Sequence, residues 1–129
     1  MPLVEDGEQL KAGQAVLVFP EGERTTTGEL QRLKPGVLLL IKRMAAPIVP
    51  IGIAGAFDAL PRSRKWPKLS PFFLPTTGAD IAVSVGEPIP AERYRVMPRA
   101  QVLAELQGEL ERVKERAEHL RRKGLSARR

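Results

Sequence analysis

The apolar run Ala15-Val16-Leu17-Val18-Phe19, closed by Pro20 and followed by Glu21-Gly22-Glu23-Arg24 and three threonines, constrains this chain more than any other stretch. The run is short and β-branched, which predicts a strand buried on both faces. Pro20 removes a ladder donor and ends that strand, and Gly22 permits a backbone turn that a side chain would hinder. Charged side chains then emerge at the strand's carboxyl end, where open α/β sheets bind their ligands. Arg24 is a planar fork suited to a phosphate or a carboxylate, with the hydroxyls of Thr25, Thr26 and Thr27 beside it. The same residues also suit an ordinary polar turn in which Glu21 and Arg24 pair with each other, and spacing alone favours that turn, because short motifs have many accidental matches.

Composition sets the outer limits. The chain has 129 residues and 43% hydrophobic content, which suits one folded domain with a modest core. It has no cysteine, which excludes disulfides, thiolate metal sites and a cysteine nucleophile. No apolar run approaches the length of a membrane-spanning helix, and the N-terminal MPLVEDGEQLKAG lacks the order of a secretory signal. The expected location is cytoplasmic, peripheral to the inner face of a membrane.

The net charge of +6 should attract anions: phospholipid headgroups, phosphorylated ligands or nucleic acid. One basic cluster is Arg62, Arg64, Lys65 and Lys68, mixed with Trp66 and followed by Phe72 and Phe73. It suits a membrane-surface patch, with cations for headgroups and aromatics for the interface. It equally suits a solvated loop whose aromatics cover the core. The C-terminal end, with Arg121, Arg122, Lys123, Arg128 and Arg129, is the other cluster. Nucleic acid is not the expected partner, because no recognition motif is present and aromatics make up only 5%.

Along the chain, residues 2–8 are acidic and read as irregular, and residues 7–13 as a helical turn closed by Gly13. Lys34-Pro35-Gly36 leads into VLLLIKRMA, which predicts a buried helix of about ten residues that Pro47 ends. Ile48-Val49-Pro50-Ile51-Gly52-Ile53-Ala54 reads as a second core strand, although Pro50 is awkward inside one. Residues 55–61 form a loop and short turn, and residues 62–77 a surface excursion. DIAVSVG, residues 80–86, alternates as a half-buried strand does. From Pro98 the period becomes helical: Val102, Leu103, Leu106, Leu110, Val113, Ala117 and Leu120 form one apolar stripe, with Gly124 as the expected stop. Such a stripe packs on its own domain or, less simply, forms a coiled-coil seam. The expected divisions are residues 1–97, an amphipathic helix over 98–124 and a basic tail over 125–129.

Phe19-Pro20-Glu21-Gly22-Glu23-Arg24-Thr25 resembles the F-P-E-G-T-R-S block of the glycerolipid acyltransferases, the lysophosphatidic-acid acyltransferase-like family. Leu10-Lys11-Ala12-Gly13, Lys34 and Gly36 match its neighbours in order. Ile48-Val49-Pro50-Ile51 resembles the later V-P-V block, and Val85-Gly86-Glu87-Pro88-Ile89 the terminal V-G-E-P-I strand. The resemblance covers residues 10–89. It implies an α/β fold, a mixed and largely parallel sheet flanked by helices, here with a long amphipathic C-terminal helix.

The implied activity is an acyltransferase of phospholipid biosynthesis. A fatty acyl group would pass from acyl-CoA or an acyl carrier protein to the hydroxyl of lysophosphatidic acid or a related glycerolipid. Glu21, Gly22 and Arg24 match the block that binds the acceptor's phosphate, with Lys34 as a second contact. Ile48, Val49 and Pro50 match the block implicated in the acyl-donor site. No cofactor or metal is implied beyond the thioester co-substrate. Position 23 departs from the pattern: a carboxylate replaces threonine, which should weaken anion binding unless it points away or pairs with Arg24.

The family's H-x-x-x-x-D block, whose histidine deprotonates the acceptor, is absent. The sole histidine is His119, and Gly124 stands where that spacing requires aspartate. No catalytic residue is therefore expected here, and the chain reads as an inactive C-terminal fragment of an acyltransferase domain. An exposed apolar sheet edge able to self-associate should follow. The alternative is a non-catalytic module that binds lipid phosphate or an acyl carrier protein.

Overall fold

The computed structural model describes residues 3–23, 25–43, 45–60, 63 and 80–126. The first element, α1 (Leu3–Lys11), runs through the acidic stretch that was expected to be irregular. Gly13 closes the helix at φ +78, with Gly13 N–H donating to Leu10 O and Gln14 N–H to Gln9 O, both at 3.0 Å. This paired closure needs a left-handed residue, which glycine supplies without strain.

Residues 15–19 carry no ladder, so the strand expected there does not form. A strand requires a hydrogen-bonded neighbour, and none of the described residues pairs with this segment. Leu17 and Phe19 are each 65% exposed. The helix expected after Pro35 is α2 (Gly36–Arg43). It is one-sided rather than buried all round: Leu38 and Ile41 point inward, while Leu39 is 44% exposed.

The sheet has two antiparallel strands, β1 (Ile51–Ala54) and β2 (Ala82–Val85), where the resemblance implied a largely parallel one. Ile51 faces Val85, and Ala54 faces Ala82. Pairing resumes beyond the strand ends at Ile48 and Ile89, which exchange two backbone hydrogen bonds of 2.9 and 2.7 Å. From 51 to 48 is three steps, but from 85 to 89 is four, so the second strand bulges between them. The bulge accommodates Pro50: its carbonyl accepts from Gly86 N–H at 2.9 Å, and its missing donor is not called upon.

Between the strands lies the single turn α3 (Ala56–Ala59), and after them come α4 (Ala91–Arg95) and α5 (Arg99–Ser126). The first half of α5 packs Val102 and Leu106 into a core with Leu33, Leu38, Ile41, Ile89 and Tyr94. Its second half lies across the sheet and buries Val113 and Ala117. The stripe thus packs on its own domain, although Leu120 at its far end is exposed. Gly124 does not stop the helix; nothing crowds it, and its φ stays out of the left-handed region.

The approach of α5 inverts the sheet's expected sidedness. A Cβ on Gly52 would overlap the backbone of Val113 and Lys114. Small residues therefore face the helix: Gly52 and Ala54 from β1, Ser84 from β2. The large side chains Ile51, Ile53, Val83 and Val85 point the other way and are exposed.

Candidate functional site

The loop that opens with Pro20-Glu21-Gly22-Glu23-Arg24, here the PEGER loop, is tied together at its beginning and its end. Gly22 N–H donates to Phe19 O at 3.0 Å, which makes a tight turn with Gly22 at φ +74. A side chain there would be strained and would press on the Lys34 stem, whose Cγ lies 3.2 Å from the ideal Cβ position. Lys34 N–H donates to Pro20 O at 2.8 Å, and the Glu21 carboxylate accepts from Gln31 N–H at 2.5 Å. These two bonds join the beginning and the end of the loop.

The threonines are engaged locally. Thr25 Oγ1 accepts from Gly28 N–H at 3.0 Å, Thr27 N–H at 3.2 Å and the Gln31 side-chain amide at 3.3 Å. Its own hydroxyl hydrogen remains a donor. Thr27 Oγ1 accepts from Glu29 N–H at 3.4 Å. Gly28, at φ +84, packs against the Phe57 ring of α3, and its carbonyl accepts from Lys114 Nζ of α5 at 2.7 Å. Gln31, Phe57 and Lys114 carried no sequence signal as parts of this loop. Each acts from a distance, Lys114 from 86 residues away.

Of the expected phosphate contacts, Glu21, Gly22 and Lys34 come together, while Arg24 lies outside the described residues. Glu21 holds the loop's shape; a carboxylate offers an anion no donor. Glu23 lies 3.5 Å from Lys34 Nζ, both side chains more than half exposed, a pair worth no more than about 1 kcal/mol. The Lys34 ammonium is thus on the surface with a weakly held partner. An anion could compete for it.

Ile48, Val49 and Pro50 sit on the bridge that flanks β1: Ile48 packs on the core, Pro50 is fully buried and Val49 is exposed. No hydrogen bond of the described residues joins them to the PEGER loop. His119 is exposed on α5. The proposed membrane patch of Arg62, Arg64, Lys65, Trp66, Lys68, Phe72 and Phe73 lies outside the described residues. Among those described, no acidic, histidine or cysteine cluster could hold a metal, and no helix is long and apolar enough to cross a membrane.

Residues 3–54, which include α1, the PEGER loop, α2 and β1, match the acyltransferase family model. A chloroplastic 1-acyl-sn-glycerol-3-phosphate acyltransferase of Brassica napus is 35% identical over 54 residues, 42% of this chain. The two matches support a likeness to the glycerolipid acyltransferases over part of the chain. The match spans 16% of the Brassica protein's length. No solved structure matches the chain significantly.

Proposed function

We propose that this chain carries the acceptor-phosphate side of a glycerolipid acyltransferase. In this reading the hydroxyl of lysophosphatidic acid, or a related acceptor, attacks the thioester carbonyl of acyl-CoA or acyl carrier protein. A base takes the hydroxyl proton, and the departing thiolate recovers one. The observation that carries the reading is the PEGER loop itself, a glycine turn with Lys34 folded across it, inside the family-matched segment. Arg24 and Lys34 would hold the phosphate, Gly22 would let it approach the backbone, and Glu21 would keep the turn closed. Val49 is the exposed member of the donor block and the one able to touch an acyl chain.

His119, exposed on α5 with Gly124 rather than aspartate after it, does not suit the base. In this reading the base belongs to sequence outside these 129 residues. The test compares acyl transfer to lysophosphatidic acid by this chain and by the chain extended upstream in its gene. Activity is expected only in the extended form, where Arg24→Ala should raise the acceptor KM about tenfold. Turnover by the chain alone would overturn the missing-base argument. Lipid-phosphate binding without turnover in either form would favour the non-catalytic module.

A further inference from the structure

We propose that the cleft between α2 and the start of α5 docks this chain on an anionic bilayer surface. The cleft is a cavity of about 360 Å3 lined by Pro35, Leu38, Leu39, Lys42, Arg43 and Arg99. Its lining includes three cations and no carboxylate. Lys42 is fixed: its Nζ donates to Arg95 O at 3.0 Å and to Met97 O, tying α2 to the turn between α4 and α5. Arg43 and Arg99 are exposed and, among the described residues, make no hydrogen bond or ion pair. Arg99 also opens α5, whose N-terminal end carries positive partial charge.

Apolar side chains accompany these cations. Leu39 lines the cavity at 44% exposure, and Val96, between the two carbonyls that Lys42 binds, is 90% exposed. Val96 is the most exposed of the large apolar side chains among the described residues. Guanidinium groups beside protruding aliphatic chains fit phosphate headgroups above hydrocarbon. An acidic protein surface would answer the charge but would leave Val96 without an apolar partner. This docking surface is separate in sequence from the cluster at 62–73, and it does not depend on the acyl-transfer reading.

The experiment is co-sedimentation of the 129-residue chain with phosphatidylcholine vesicles, with and without phosphatidylglycerol. Binding should require phosphatidylglycerol and weaken as salt is raised. Arg43→Glu with Arg99→Glu should weaken it about tenfold or more. Leu39→Ser with Val96→Ser should weaken it several-fold even at low salt, with the circular dichroism spectrum unchanged for both variants. Four results would overturn the proposal. The first is equal binding by the charge-reversed variant, and the second is no binding to either vesicle. The third is release of the chain by inorganic phosphate alone. The last is capture of an acidic protein through Arg43 and Arg99 without vesicle binding.

Discussion

Tyr94 is fully enclosed, and its hydroxyl has no hydrogen-bond partner among the described residues. Burial pushes its ionisation above the ordinary phenol range; the charge on Glu105 adds to this, Arg93 opposes it and Glu109 adds again. A raised folded-state value means that Tyr94's contribution is complete below the ordinary phenol range. It is lost as pH rises through the folded value. Tyr94→Phe keeps the ring and removes the unsatisfied group, so stability at neutral pH should rise by about 1 kcal/mol. Urea melts should also show a smaller alkaline loss in the variant than in the parent. Two glycines give opposite signs on the same helix contact and helix body. Gly52→Ala should destabilise by about 3 kcal/mol, because α5 must lift off β1 to admit the methyl group. Gly108→Ala, on a helical position with open space around it, should stabilise by about 1 kcal/mol. Denaturant midpoints measure both.

Among the elements, β2 shows how far the sequence pattern reaches. Its alternation located the strand and told that its two faces differ. Which face is inside was decided by α5, whose backbone meets Gly52 closely enough that only small residues fit beneath it. That contact is long-range, and period-two alternation has no access to it. The stripe on α5 was legible because a helix repeats within itself, and most of the stripe is buried as the period requires. Residues 15–19 failed as a strand for the converse reason: a strand needs a neighbour, and local composition cannot supply one. The outer sheet face, with Ile53 opposite Val83, is left as an exposed apolar patch. The chain should therefore bind a hydrophobic dye such as ANS. Ile53→Thr with Val83→Thr should cut that fluorescence. Threonine stays β-branched and neither residue packs on α5, so the melting temperature should change little.

At the scale of the molecule, α5 fastens most of the structure to itself. It covers both strands, and Arg121 holds Asp58 of α3 at 2.6 Å. Lys114 holds the carbonyl of Gly28 at the end of the PEGER loop. The loop's glycine turn and its charged residues were legible in sequence, because turn chemistry is local. Its latches, Glu21 to Gln31 and Lys114 to Gly28, were not, because they join distant positions. This makes the loop's order dependent on a helix far away in the chain. Lys114→Met keeps the apolar stem and removes the charged donor, which tests the latch without emptying the space. A hydrogen bond from a charged group contributes about 1.5–3 kcal/mol, so stability should fall by about that much or less. The specific result lies in hydrogen exchange. Amides of residues 27–31, including the Gly28 and Gln31 N–H groups that now donate to Thr25 and Glu21, should lose protection. Those of α2 should keep theirs. Unchanged exchange over 27–31 would mean that the ring of Pro20, Glu21, Gln31 and Lys34 holds the loop by itself, with α5 only lying against it.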